Sequence, residues 1–339
     1  MKGTLRKKQS GITLVALVVT IVVLLILAGI TIMYTMGENS IFKKAQEAKN
    51  KTEDAIQNEQ EYMNSIDNMI NEYTNGTGTN TPTPENPWAK IDRIAKAIAN
   101  DNSIISDSTQ ATGTTEKGES YDIKVGDILE VEYNGEAKRV RVLGFKHDDL
   151  VDQTVYGGSH TKASISFEFV DCLGTHNMNG TDVDTSTNAN GWVNTEMRTF
   201  LEGTNGRGKL SNNSYIKQVK KKCIKTYNDA NSVATSNDYL WLLSASEVLK
   251  DGYNGGDTRG YAITKEGEQY LYYKDNATEA YNVASMNRVK YNNGSETHWW
   301  LRSPSYYNNT YSCRIGNNGL GDIYSYSYLT YGVAPGFCI

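Results

Sequence analysis

Seven tyrosines, four asparagines and four serines fall between Ser305 and Tyr331, and residues 305–339 contain no Lys, Glu, Gln, Met or Trp. Such a set does recognition chemistry rather than bond-making. Tyr offers a wide amphipathic contact at low entropic cost, and Asn and Ser adapt their hydrogen bonds to different partners. The candidate contacts are Tyr306, Tyr307, Asn308, Asn309, Tyr311, Ser312, Arg314, Asn317, Asn318, Asp322, Tyr324, Tyr326, Tyr328 and Tyr331. If 323–329 is a strand, Tyr324, Tyr326 and Tyr328 share one face, and Ile323, Ser325, Ser327 and Leu329 share the other. Residues 306–311 then form an adjoining loop or strand, and Asn317, Asn318 and Asp322 a Gly-rich turn. Arg314 and Asp322, the segment's only charged side chains, would orient a polar ligand. The competing reading packs half of these tyrosines against the core.

The five absent residue types supply 65 of the 304 residues outside the segment. At that frequency about seven would occur inside it, so the depletion is informative. No codon ending in C or T encodes any of the five. A stretch randomised at its first two codon positions, with the third held at C, acquires this composition. A tyrosine-rich β surface depleted by chance is the alternative.

Other chemistries find less support. Lys and Arg number 34 against 39 Asp and Glu, which gives no electrostatic case for nucleic acid. The four His and four Cys show neither CxxC nor HExxH spacing, so no metal, cofactor or catalytic residue is assigned. An even number of cysteines permits one disulfide in an extracellular head, with buried free thiols the preferred reading. Residues 182–188 place oxygen ligands at alternating positions but lack the central Gly and final Glu of an EF-hand loop, and are read as a polar loop. Trp299, Trp300 and Arg302 are assigned to the scaffold, with Arg302 satisfying buried carbonyls or pairing with an acid.

The elements that must carry the segment follow from periodicity. Residues 9–37 carry no charge and follow the basic cluster Lys2, Arg6, Lys7 and Lys8. The apolar run 12–33 is long enough to cross a bilayer as a helix, with the basic side cytoplasmic and the rest outside. Residues 38–74 continue as a charged stalk helix, so 12–74 forms one element, and the Thr/Pro/Gly stretch 75–87 is a linker. The head, 88–339, opens with Trp88, Ile91, Ile94, Ala95 and Ile98 at helical spacing. Strands are expected over 121–125, 128–133, 139–145 and 165–171. Helices are expected around Trp192, Met197 and Leu201, and around Ile216 and Val219 with Lys217, Lys220, Lys221 and Lys222 as a solvated face. After a buried strand-like run, 240–243, Ser244 and Glu247 stand at capping-box spacing. The fold class expected is α+β: a long N-terminal membrane and stalk helix, then a head of flanking helices beside a small antiparallel sheet.

Two stretches of sequence carry resemblances. Lys7-Lys-Gln-Ser-Gly11 followed by Ile12-Thr-Leu-Val-Ala-Leu resembles a type IV prepilin leader, residues 1–11. The resemblance implies cleavage by a prepilin peptidase after Gly11, methylation of Ile12, and contact with other pilins. Filament-forming pilins usually carry Glu at the fifth mature position, where this chain has Ala16, so membrane anchoring is favoured over filament assembly. A plain signal anchor without processing is the alternative.

In the head, Ile165-Ser-Phe-Glu-Phe-Val-Asp171, Gly191-Trp-Val-Asn-Thr-Glu-Met-Arg-Thr-Phe-Leu201, Leu240-Trp-Leu-Leu-Ser-Ala-Ser-Glu-Val248, Trp299-Trp-Leu-Arg-Ser-Pro304 and Gly332-Val-Ala-Pro-Gly-Phe-Cys-Ile339 together resemble a bacterial extracellular family of C-type-lectin-like fold. Its closing strand usually reads Gly-Val-Arg-Pro-Ala, from which Ala334 and Gly336 depart. The Glu-Pro-Asn and Trp-Asn-Asp motifs of Ca²⁺-dependent sugar-binding lectins are absent. Some relatives are targets of diversity-generating retroelements, varied between the Trp-Trp-Leu-Arg-Ser-Pro motif and the closing strand, here about 305–331. The resemblance implies a head displayed on the bacterial surface that binds variable protein or glycan ligands on other cells, phage or host. The alternative is a minor pilin, pseudopilin or adhesin subunit with a fixed head. The same broad fold includes formylglycine-generating enzymes with paired cysteines, but Cys313 and Cys338 have no acid–base partner visible in the sequence.

Overall fold

Helix α1 (Pro87–Asn100) starts where Asn86 accepts a hydrogen bond from Trp88 N at 2.9 Å and Pro87 occupies the first turn. Both features favour a helix start, because Pro lacks the N–H that would be orphaned there. Its apolar face buries Trp88, Ile94, Ala95 and Ile98, as the spacing predicts. The Trp88 ring meets Phe167 and Phe337 edge-on at 5.7 and 5.8 Å. The computed structural model describes residues 85–226, 229–249, 265–276, 284–305 and 308–339, which fall in one unit, Pro84–Ile339. The leader, Gly11, Ile12, the apolar run 12–33, the stalk to 74 and most of the linker lie outside the described residues. Among the described residues no helix is long and apolar enough to cross a membrane.

The head corrects the expected α+β class. Among the described residues seventeen strands form five sheets, while α1, α2 (Glu196–Glu202), α3 (Ala245–Val248) and α4 (Leu271–Asn276) have only 14, 7, 4 and 6 residues. The described fold is mainly β, with no long helix among the described residues.

Hairpins β1–β2 (Gln110–Thr114, Ser120–Lys124) and β11–β12 (Lys290–Asn292, Ser295–Thr297) stand by themselves. One five-stranded sheet has the order β10-β17-β6-β4-β3: Trp241–Leu242, Pro335–Cys338, Ile165–Phe169, Glu136–Phe145 and Ile128–Tyr133. A second has the order β15-β14-β13-β16-β7: Gly321–Tyr326, Tyr311–Ile315, Trp299–Pro304, Thr330–Gly332 and Thr175–Asn177. Its β13–β16 pair is parallel, and its other pairs are antiparallel. The last sheet, β5-β8-β9, joins Asp149–Leu150, Val219–Thr226 and Asp229–Asp238.

Strand β8 overturns the helix expected at Val219 and the solvated lysine face. Val219 and Cys223 are fully buried, and Lys221 between them is 2% exposed, so the three share the inward face of a strand. Of the four lysines expected to form that face, Lys220 and Lys222 point to solvent. The period of two was hidden because a lysine occupies a core position. Its ammonium donates to Asp148 and Glu247, each at 2.6 Å, and to Tyr270 at 3.2 Å. It also lies 4.4 Å from the Trp241 ring centre. Lys217 is likewise drawn inward, onto Asp92 at 2.6 Å.

Candidate functional site

The segment 305–331 hangs on β13, whose six residues are all buried. Trp299 and Trp300 each bury the ring and send Nε1 to a carbonyl, of Arg288 and His176, both at 2.8 Å. Arg302 spends all five N–H groups of its guanidinium. They go to the carbonyls of Lys222, Leu242 and Glu266 and, in a two-pronged pair, to Glu247 at 2.5 and 2.9 Å. Glu247 also closes the capping box with Ser244 at the start of α3. Burial opposes the charge on Glu247, but Arg302 and Lys221 overcome it and hold the carboxyl below its ordinary range. Glu266, which accepts from Ile224 N and Ser303 Oγ, is pushed up by burial in spite of Arg302. A parallel group surrounds Glu168, which takes Lys290 at 3.0 Å, Arg141 at 2.5 Å and Tyr273 at 2.8 Å.

From this base, β14 and β15 run outward in antiparallel register, with Tyr311 opposite Tyr326 and Ser312 opposite Ser325. Strand β15 ends at Tyr326, three residues short of the expected 323–329, because the chain turns at 327–328. The alternation nevertheless persists through the turn. Ser312, Ser325 and Ser327 are 2%, 1% and 0% exposed, whereas Tyr311, Tyr326 and Tyr328 are half-buried with outward surface. The Tyr311 and Tyr326 rings meet edge to face at 4.5 Å, and Tyr326 and Tyr328 lie 5.4 Å apart. Their geometry suits aromatic attraction and leaves amphipathic area for a partner. A hydrogen bond to Tyr326, with burial adding to it, raises the Tyr311 phenol above its ordinary value.

The remaining sequence candidates divide. Ser312 does not face outward; its hydroxyl is sealed 2.8 Å from that of Ser327. Asn308 is half-buried and turns its Oδ1 back onto Thr310 N and Oγ1, both at 3.0 Å. Asn309 is exposed, as are Asn317 and Asn318 on the β14–β15 turn. Asn318 accepts from Leu320 N, and Asn317 N donates to His298. Tyr331 forms a separate group, edge-on to Trp300 at 4.8 Å and under Arg314 at 4.7 Å. Asp322 and Tyr324 lie in β15, Asp322 opposite Arg314; their side chains, and Tyr306 and Tyr307 altogether, lie outside the described residues. Tyr311, Tyr326, Tyr328 and Asn309 are thus the members placed at the surface together with the turn that supports them.

Sequence reading missed the support. Residues 178–188 lie against this turn, with Ser186 Oγ donating to the Thr310 carbonyl at 2.8 Å and Asn188 to that of Asn308 at 2.8 Å. Partners more than a hundred positions away leave no local signal. The loop considered for Ca²⁺ uses Asp182 Oδ1 on its own turn, at Asp184 N, Thr185 N and Thr185 Oγ1. Those hydrogen bonds hold Asp182 below its ordinary value. Among the described residues no three His, Cys, Asp or Glu side chains are grouped for a metal ion. All four cysteines are buried thiols, and burial pushes Cys172 up to about 12 and Cys223 up to about 11.

Residues 168–339 match the family model described as a domain of unknown function, DUF6273. The match spans half of the chain, and the chain belongs to that family. No curated protein matches the chain, and no solved structure matches it. The matched span begins at the buried Glu168 and encloses both the Arg302–Glu247 pair and the tyrosine cluster.

Proposed function

We propose that the protein is a surface-displayed ligand-binding protein whose segment 305–331 is a diversified recognition surface. The observation that carries the reading is an asymmetry: small serines fill inward positions at 312, 325 and 327, and large tyrosines the half-exposed positions at 311, 326 and 328. Large rings with polar tips at adaptable positions are the composition of a protein or glycan contact. The missing Lys, Glu, Gln, Met and Trp in the same segment agree with variation at the first two codon positions. Binding is non-covalent, through ring contact and hydrogen bonding. The uncharged run 12–33 behind a basic cluster supports attachment to a membrane with the head outside, and Gly11–Ile12 is the processing point if a prepilin peptidase acts. Ala16 weighs against assembly into a filament.

An enzyme using Cys313 and Cys338 is disfavoured on chemical grounds. Both thiols are buried, at 1% and 0% exposure, and burial together with Asp148 pushes Cys338 well above an ordinary thiol. The nucleophile is the thiolate, which such surroundings suppress. The DNA around the gene tests the proposal. A reverse transcriptase gene and a near-copy of the sequence encoding 305–331, differing only at adenines, is expected. A locus with neither, and an invariant segment across isolates, leaves a fixed adhesin or pilin head instead.

A further inference from the structure

We propose that residues 178–188 are a clamp that holds the recognition segment by its main chain alone, with Asn188 as the central positioning residue. The inference rests on the binding reading for its purpose but not for its test. Asn188 is 2% exposed, in the turn that precedes α2. Its Nδ2 reaches the carbonyl oxygens of Tyr311 at 2.5 Å, Asn308 at 2.8 Å and Ser305 at 3.4 Å. An asparagine amide has two N–H groups, so here they are shared among three carbonyls of one turn. The Asn188 main-chain N–H takes a fourth, Asn309 O, at 2.6 Å. Ser186 Oγ takes Thr310 O at 2.8 Å, and the N–H groups of Met178 and Asn179 both take Ser327 O, at 2.8 and 2.9 Å. Ser327 N closes the circuit on Thr310 O at 2.9 Å.

The seven bonds from 178–188 all end on carbonyl oxygens. Every residue type presents the same carbonyl, so the grip is indifferent to the side chain at 309, 311 or any neighbour that can adopt the turn. The clamp is itself anchored to the core. Asn190 and Gly191 follow with φ of 68° and 61°, and a Cβ on Gly191 would lie 2.0 Å from Ile224 O in β8. Only glycine fits there, which fixes where Asn188 points. A fixed segment thus supplies the backbone geometry, and the recognition segment supplies only side chains.

Amide hydrogen exchange on the full-length protein in detergent tests this without any ligand. Asn188→Ala removes the side-chain bonds, and Asn188→Asp keeps the shape while setting a carboxylate against carbonyls. Both are expected to speed exchange at Thr310, Tyr311 and Ser327 by about tenfold or more, while amides of β6 and β17 keep their wild-type rates. Ser186→Ala, which removes one bond, gives a smaller rise at the same amides and serves if the Asn188 variants do not fold. Asn309→Ala, which keeps the gripped carbonyl and removes only a side chain outside the grip, changes none of them. Unchanged exchange at 310, 311 and 327 in the Asn188 variants, or in Ser186→Ala where those do not fold, overturns the clamp. So does an equal rise throughout the head. A clamped turn that binds nothing in any selection would reject the binding reading and leave the clamp standing.

Discussion

On β13, Arg302 gives every N–H of its guanidinium to one carboxylate and three carbonyls. On the next strand, Tyr311 touches Tyr326 through its ring and its hydroxyl and is otherwise held by its main chain. At the base, side-chain identity is the structure; at the tip, the backbone is the structure and side chains are surface. The contrast is what the proposed diversification requires, since it would let one small head keep a single fold while part of it changed. Substitution in a buried ionic network leaves an uncompensated charge, whereas substitution on a backbone-held surface leaves nothing unsatisfied.

Breaking the base should have the largest effect. Arg302→Met leaves Lys221 alone to balance both Glu247 and Asp148 in the interior and is expected to cost about 3–5 kcal/mol in urea unfolding. A cost under about 1 kcal/mol, the range of an exposed ion pair, would remove the distinction between the two regions.

Acid should act on the base as well. Asp148, Glu168 and Glu247 are buried, which opposes their charge, but neighbouring cations hold all three below the ordinary carboxylate range. Their stabilisation is complete above the unfolded value of about 4 and is lost as pH falls through the depressed values. Glu266 runs the other way: raised by burial, it contributes fully below about pH 4 and loses that contribution as pH rises through its folded value. Glu266→Gln should therefore gain stability relative to wild type between pH 4 and pH 7. A constant offset over that range would show that Glu266 is ionised throughout.

Smaller effects sharpen the tip. Ser312→Ala breaks the sealed hydroxyl pair with Ser327 and should cost about 1 kcal/mol. Replacing Tyr326 or Tyr328 with Ser should move stability by no more than about 0.5 kcal/mol; a loss like that of Ser312→Ala would make these rings core. Smallest is a spectroscopic change: Tyr326→Phe should lower the titration of the Tyr311 phenol, followed by ultraviolet absorbance, because the hydrogen bond that raises it is gone.

Legibility in the sequence follows the same division. Helix α1, strand β3 and the Ser244–Glu247 capping box were readable because their signals are local: apolar spacing, alternation, and an N-cap three residues from its acid. Arg302 was assigned to the scaffold from its motif and does both things expected of it, meeting carbonyls and an acid. The fold class is misread from sequence because β8 hides a core lysine in a basic run and β9, Asp229–Asp238, is built largely of Asp, Asn, Ser and Thr, types that usually mark turns. Within the segment, the inward serines could not be told from outward ones until β14 and β15 were paired. Asn188 gave no sign at all, since its meaning lies in carbonyls 117 to 123 positions away.

Simultaneous randomisation of residues 309, 311, 326 and 328 in the displayed full-length protein reaches the central claim most directly. Clones are sorted first for a folded head, by resistance to protease, and then for binding to a panel of purified proteins and glycans. The account predicts that most clones stay folded and that different ligands enrich different residue sets at those four positions. If most clones unfold, or if every enriched binder owes its affinity to changes elsewhere, the claim is contradicted.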